Sequence, residues 1–126
     1  MIRSARFQRA DRVVSARDYA RVRRLGRRCA STNFAVSIAA REAGNESRTR
    51  LGLIVSRKVG NAVVRNRVKR AVREWFRTGG AQLAEDVDIV VIARRGAADS
   101  LASEIRLELS ELVAKGQLAT RSEVKK

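Results

Sequence analysis

A helical repeat over residues 60–77, GNAVVRNRVKRAVREWFR, is the strongest folding signal in the chain. At 100° per residue, five apolar side chains of this stretch fall on one arc: Val64, Val68, Ala71, Val72 and Trp75. Asn61 is placed to cap the helix, and the sequence 78–80, Thr-Gly-Gly, ends it after Arg77. The stretch therefore predicts a long amphipathic helix packed on a core.

The opposite side of this predicted helix carries a row of basic residues at intervals of one turn: Arg65, Lys69, Arg73 and Arg77. Neighbouring like charges at this spacing each cost about 0.2–0.5 kcal/mol in an isolated helix. Glu74 is the only acidic residue of the stretch, whereas a solvated helix face usually interleaves both signs. Because the row matches a ladder of phosphates, we predict a nucleic-acid contact along it.

Basic residues are concentrated in the first three-fifths of the chain. The 126 residues contain 28 Lys or Arg and 13 Asp or Glu, a net charge of +15. Residues 1–77 hold 21 basic and 5 acidic residues, a net of +16, and the remainder has a net of −1. This asymmetry indicates a nucleic-acid partner, with an anionic membrane surface as the competing class.

Alternation and apolar runs predict four β-strands. They are expected near 27–31, at 33–40, at 50–56 and at 86–93. The second and third should pair as an antiparallel hairpin, because the turn-forming region 41–49 connects them. The fourth is apolar on both faces after Asp88, which is typical of a central strand covered by helices.

Two further helices are predicted at the ends of the domain. The first spans 16–25 with Ser15 as its N-cap, and the last runs from Ser100 to Gly116. The order α-β-β-β-α-β-α predicts one α/β domain, an α+β sandwich with a four-stranded, mostly antiparallel sheet. We place this domain at 13–116, after a basic arm (1–12) and before a flexible tail (117–126).

The predicted strand at 33–40 has one bulky face and one face of small residues. Phe34, Val36 and Ile38 point to one side, and the small residues point to the other: Ala35, Ser37 and Ala39. Because none of these small side chains is charged, we interpret the second face as a shallow floor on which a ligand lies.

The side chains that most catalytic sites need are missing. The sequence contains no histidine, so neither a Ser-His nor a Cys-His nucleophile can form. Cys29 is the only cysteine, which excludes an internal disulfide and a zinc site and fits the reducing cytoplasm. We therefore expect a binding protein with no catalytic residue, no metal site and no small-molecule substrate. We also expect no membrane contact, because the apolar arc of the helix at 60–77 is committed to the core and does not border the charges.

A small acidic cluster leaves a protein nuclease as an alternative. Glu85, Asp86 and Asp88 stand at the start of the fourth predicted strand, where they could bind Mg²⁺. Asp86 and Asp88 share a strand face with apolar Val90 and Ile92. We therefore interpret them as polar residues at the start of a strand.

Residues 57–70, RKVGNAVVRNRVKR, resemble the signature of the protein subunit of bacterial ribonuclease P, with its RNR core at 65–67. The likeness continues through SARDYARV, NFAV, LGLIVSRK, REWFR and DIVVIARRGA, and it covers about residues 12–113. Composition alone suits another RNA-binding protein, such as a ribosomal protein, equally well. Only the signature at 57–70 distinguishes a ribonuclease P protein from such another RNA-binding protein.

The resemblance implies a ribonucleoprotein in which a large RNA subunit, with Mg²⁺ bound mainly by that RNA, hydrolyses precursor tRNA at its mature 5′ end. The protein would bind the RNA subunit and hold the 5′ leader in a cleft between the first helix and the sheet. Residues 13–116 would then be an RNA-binding domain. The resemblance also implies a left-handed crossover from strand through basic helix to strand, against the usual right-handed rule.

By matched position, the resemblance assigns two groups of candidate site residues. Those near the precursor-tRNA leader are Tyr19, Arg23, Ser37, Lys58, Arg65 and Asn66. Those in contact with the RNA subunit are Arg57, Asn61, Arg67, Lys69, Arg70 and Arg73. The chain departs from the family at Arg23, where a second aromatic residue is common, although an arginine can also stack on a base.

Overall fold

The computed structural model describes residues 16–41, 49–83 and 87–124. The elements follow the predicted order: α1 (Ala16–Leu25), β1 (Arg27–Ala30), β2 (Phe34–Ala40), β3 (Arg50–Ile54), α2 (Ala62–Thr78), β4 (Val87–Ala93) and α3 (Ala102–Val124). The predicted basic arm, the Ser15 cap, and Glu85 and Asp86 lie outside the described residues, as does most of the turn region 41–49.

The four strands form one mixed sheet in the order β1-β2-β4-β3. β2 pairs antiparallel with β1 and β4, and β3 pairs parallel with β4. The predicted hairpin between β2 and β3 is therefore wrong, because β4 lies between them. β4 takes this central place because its side chains are apolar on both faces, so that both faces must be covered.

The sheet is covered by helices on both faces. On one face, α2 and α3 pack against Phe34, Val36 and Ile38 of β2, which confirms the predicted bulky face of that strand. On the other face, Val22 of α1 packs against Ala39 and the β4 residue Val90. The sheet thus separates α1 from α2 and α3.

Helix α2 is capped and buried as its pattern predicts. Asn61 Oδ1 accepts a hydrogen bond from Val64 N at 3.0 Å, and the Gly79 N–H donates to the carbonyl of Trp75. Its buried residues are Val68, Val72, Trp75 and Phe76. Trp75 Nε1 donates to Ser110 Oγ at 3.0 Å, which joins α2 to α3. The basic side of α2 is consequently turned away from the core.

Helix α3 continues to Val124, so its predicted end at Gly116 is wrong. Gly116 is buried, and a Cβ at this position would lie 2.8 Å from Ile38 Cδ1. The glycine therefore allows the helix to approach the sheet closely. The backbone of residues 117–124 is helical, and the flexibility of this tail stays a prediction.

Asp88 anchors α1 to the end of the sheet. Its carboxylate is fully buried and accepts hydrogen bonds from Arg50 Nε and Nη2, each at 2.8 Å, and from Arg21 Nη2. Arg41 Nε lies 3.8 Å from Asp88 Oδ1, and Arg21 also donates to the Ala40 carbonyl at 2.7 Å. The hydrogen bond that Arg50 donates to Asp88 raises the pKa of Arg50 above its usual value. Through these arginines, Asp88 holds α1 at the end of the sheet.

Glu108 holds the turn between β1 and β2 against α3. Its carboxylate accepts hydrogen bonds from Ser31 Oγ, from Asn33 N at 3.0 Å and from Asn33 Nδ2 at 2.9 Å. A Cβ on Gly96 would lie 1.9 Å from Asn33 Oδ1, so any other residue there would displace the amide that donates to Glu108. Burial raises the pKa of Glu108, but these hydrogen bonds outweigh it and leave the pKa below its usual range.

We predict that Asp88→Asn lowers the free energy of unfolding by about 3–5 kcal/mol at pH 7, because it leaves buried arginine charge without its counter-charge. Urea denaturation followed by circular dichroism measures this change. The exposed Asp99→Asn variant is the control and should stay within about 0.5 kcal/mol of wild type. A loss below about 1 kcal/mol for Asp88→Asn would contradict the anchoring role.

We also predict that Glu108 makes stability depend on pH in the acid range. Because its pKa is lowered by folding, its contribution is present above the unfolded-state value of about 4.3 and is lost as pH falls through the folded-state value. Glu108→Gln should therefore lower the melting temperature at pH 7 and flatten its fall between about pH 5 and pH 3. Glu111→Gln, on the exposed side of the same helix, controls for the loss of one carboxylate.

Candidate nucleic-acid interface

A narrow groove lies between α1 and the uncovered part of the sheet. Its floor consists of strand residues that share one face, namely Ser37, Ile54, Val90 and Ile92. Tyr19 and Arg23 of α1 stand on one side of it, and Arg28 of β1 lines it as well. The groove therefore combines an apolar floor with a basic and aromatic rim.

The predicted floor of small residues is only partly right. Ser37 lines the groove, but Ala39 is covered by Val22 of α1 and Ala35 is buried outside the lining. The other floor residues come from β3 and β4, and the pairing of β4 with both β2 and β3 was not predicted. Only the register shows that Val90 lies opposite Ser37 and that Ile54 lies opposite Ile92.

Tyr19 is held against the sheet at both its ring and its hydroxyl group. The backbone N–H of Leu53, on the edge strand β3, donates to Tyr19 Oη at 3.2 Å. A Cβ on Gly52 would lie 3.0 Å from Tyr19 Cε1, so the glycine makes room for the ring. An immobilised aromatic ring at the side of a groove is suited to stacking on a base.

Two exposed arginines give the groove its positive rim. Arg23 lies one turn after Tyr19, and Arg28 lies on the edge strand β1. Within the described part of the chain, neither guanidinium group has a hydrogen bond or an ion pair. Both guanidinium groups are therefore available to contact phosphates. A role of Arg23 in binding the leader requires such an unpaired group.

The connection between β3 and α2 presents further basic side chains. Arg57 and Lys58 are exposed in a turn that is closed by a hydrogen bond from Val59 N to the Ser56 carbonyl at 3.1 Å. Val59 is buried and fixes the turn to the core. Neither residue lines the groove beside α1, and Lys58 is therefore not brought together with Tyr19 there.

The basic side of α2 divides into engaged and unengaged residues. Arg77 Nε donates to Glu74 Oε2 at 3.1 Å, and Arg67 donates to the carbonyls of Ser100, at 3.1 Å, and Ala98. Among the described residues, the side chains without such a partner are Arg65, Lys69, Arg70 and Arg73. Arg65 Nε is buried and has no hydrogen-bond partner among the described residues, whereas Asn66 is exposed. Most of the predicted phosphate ladder is thus unpaired.

The geometry of Asp88 does not suit a nuclease. Both of its carboxylate oxygens accept hydrogen bonds from arginines, and Arg41 lies close by. The positive charge of these arginines would repel a metal ion. The described residues contain no group of three or more His, Cys, Asp or Glu side chains able to hold a metal. They also include no helix that is long and apolar enough to cross a membrane.

Comparisons with known proteins agree with the resemblance seen in the sequence. The family model described as Ribonuclease P matches residues 7–117. The ribonuclease P protein component of Syntrophobacter fumaroxidans is 41% identical over 107 residues, which are 84% of this chain and 87% of that protein.

Solved structures of RNase P proteins share the fold. The Staphylococcus aureus RNase P protein aligns with a TM-score of 0.75 and 34% identity, covering 86% of this chain and 99% of that one. The RNase P protein of Thermotoga maritima aligns with a TM-score of 0.72 and 30% identity, covering 82% and 96%. The α+β fold with three helices and a four-stranded sheet is thereby confirmed. The chain belongs to the ribonuclease P protein family.

Proposed function

We propose that this chain is the protein subunit of a ribonuclease P ribonucleoprotein in the cytoplasm. It binds the RNA subunit along the basic side of α2 and holds the 5′ leader of precursor tRNA in the groove between α1 and the sheet. In this way it promotes endonucleolytic 5′ maturation by the RNA. The observation that carries the proposal is the groove itself, in which the fixed ring of Tyr19 and unpaired Arg23 and Arg28 border an apolar floor.

The groove is suited to single-stranded RNA. A duplex hides the faces of its bases, whereas an extended leader exposes them to an aromatic ring and an apolar floor. The ring of Tyr19 would stack on a base, while Arg23 and Arg28 would contact the phosphates on either side. Ser37, on the floor, adds a hydroxyl group that can donate or accept a hydrogen bond.

The unpaired arginines and lysine of α2 support the contact with the RNA subunit. Lys69, Arg70 and Arg73 would each neutralise a phosphate, with Arg57 and Asn61 extending the contact at the start of the helix. The resemblance assigns Arg65 and Asn66 of the same helix to the leader, although neither lines the groove beside α1. Arg67 already fixes α2 to the segment before α3, so its contribution to RNA binding would be to hold this surface in place.

Mg²⁺ belongs to the RNA subunit in this proposal. When bound, it supplies an activated water and stabilises the charge that develops on the cleaved phosphate. The carboxylate of Asp88, which the nuclease alternative would require, is committed to Arg21 and Arg50. The role of this chain is therefore to bind and orient the two RNAs.

Cleavage of precursor tRNA at low Mg²⁺ tests the proposed function. The reaction is run with the chain alone, with a bacterial ribonuclease P RNA alone and with both together. We expect cleavage at the mature 5′ end only when both are present, because the chain supplies binding and the RNA supplies chemistry. Cleavage by the chain alone would favour a protein nuclease. Binding of the RNA without stimulation would favour a general RNA-binding protein.

We predict that Tyr19→Ala weakens binding of precursor tRNA to the holoenzyme about tenfold and leaves binding of mature tRNA unchanged. The reason is the loss of one base-stacking contact, which contributes about 1–3 kcal/mol. Filter binding with matched precursor and mature tRNA measures the ratio. Tyr19→Phe retains the ring and should stay close to wild type. An equal loss for both tRNAs would contradict the placement of the leader in this groove.

A further inference from the structure

A second groove lies between the middle of α2 and the start of α3, on the opposite side of the sheet from α1. It has a volume of about 420 Å³. Its lining includes Arg70, Ala71, Glu74, Leu101, Ala102 and Arg106. Neither group of residues assigned from the resemblance includes the α3 wall of this groove.

The two walls of the groove are joined by hydrogen bonds, so its shape is preformed. Arg67 reaches from α2 to the carbonyls of Ala98 and Ser100. Leu101 N donates to Glu104 Oε1 at 2.7 Å, and the Leu101 carbonyl accepts from Ile105 N at 2.9 Å. The backbone of Leu101 is thus fixed, although its side chain is 66% exposed. An apolar side chain held in this way is suited to contact with a partner.

The charges around the groove favour an anion. Among the described residues, Glu74 is the only acidic one that lines it, and its carboxylate is paired with Arg77. Arg70 has no hydrogen-bond or ion-pair partner among the described residues. Arg106 is exposed on the α3 side of the groove. The groove therefore presents an apolar surface between two arginines.

An unpaired RNA nucleotide has the chemistry that this groove would recognise. The face of its base is apolar, and its two flanking phosphates are anionic. Arg70 also belongs to the basic side of α2, so the groove is continuous with the proposed surface for the RNA subunit. The chain's own N-terminal arm is disfavoured as an occupant, because residues 1–12 carry four arginines and one aspartate.

We infer that the groove between α2 and α3 binds one unpaired nucleotide of the RNA subunit, with the base on Leu101 and Ala71 and its phosphates on Arg70 and Arg106. This inference rests on the proposed function. It extends the contact with the RNA subunit from α2 to the start of α3.

Equilibrium binding of the full chain to a bacterial ribonuclease P RNA at several salt concentrations tests the inference. Leu101→Ser should weaken binding about tenfold without changing the salt dependence, because the lost contact is apolar. Arg106→Ala should reduce the slope of log K against log salt by about 0.7–0.9, the value for one phosphate. Position 101 directly precedes α3, and its N–H already donates to Glu104. Because a serine side chain there can complete a capping box with Glu104, the Leu101→Ser variant should fold.

Two matched variants of α3 serve as controls. Leu107 is 65% exposed and does not line the groove, so Leu107→Ser should bind as wild type does. Lys115→Ala removes an exposed charge from the same helix and should leave the salt slope unchanged. Equal losses for Leu101→Ser and Leu107→Ser would overturn the inference.

Other outcomes separate this inference from the proposed function. If wild type binds and stimulates the RNA but Leu101→Ser binds equally well, the groove does not hold a nucleotide and the proposed function stands. If wild type neither binds nor stimulates the RNA, the proposed function fails, and the inference fails with it.

Photocrosslinking provides a second measurement. An azidophenacyl group is attached to Leu101→Cys in a Cys29→Ser background, and the crosslinks to the RNA subunit are mapped. We expect them at one unpaired nucleotide. Crosslinks spread over paired nucleotides, or no crosslink in a complex that forms normally, would overturn the inference.

Discussion

The candidate RNA groove depends on the hydrogen bonds that the buried carboxylate of Asp88 accepts. Helix α1 has only ten residues, too few to be stable alone, and its fully buried apolar contact with the sheet is Val22. A hydrogen bond from Arg21 to Asp88 holds α1 at the ends of the strands, and Arg50 of β3 donates to the same carboxylate. Since one wall of the groove is α1 and its floor is the sheet, this cluster sets the distance between them.

Arginines serve two separate purposes in this protein. Arg21, Arg50 and Arg67 donate hydrogen bonds to a carboxylate or to carbonyl groups and hold elements together. Others, such as Arg23 and Arg73, are exposed and unpaired within the described residues. The planar guanidinium group suits both purposes, because it makes several directed hydrogen bonds and keeps its charge when partly buried. The net charge of the chain alone therefore overestimates how many cations are free for RNA.

Sequence periodicity predicted the bounds of the helices and strands well, but it did not predict which strands lie next to each other. The bounds of α1 and β4 and the cap of α2 at Asn61 agree with the structure within a residue or so. Adjacency in the chain wrongly suggested that β2 and β3 pair, since periodicity says which face of a strand is buried but not which strand lies beside it. Gly116 was wrongly taken as a helix end, because a glycine that stops a helix and one that allows close packing look alike in sequence.

The sequence by itself determined the order of elements, the apolar and basic sides of α2 and, through residues 57–70, the family. These properties are local, since they depend on helical and strand periods and on residue types at fixed spacing. Only the tertiary structure decided that Asp88 is an anchor, that Arg67 is engaged with carbonyls, and that Val90 and Ile92 form the groove floor with Ser37. Each of these depends on contacts between residues distant in the chain, which the register of the sheet and the packing of the helices bring together.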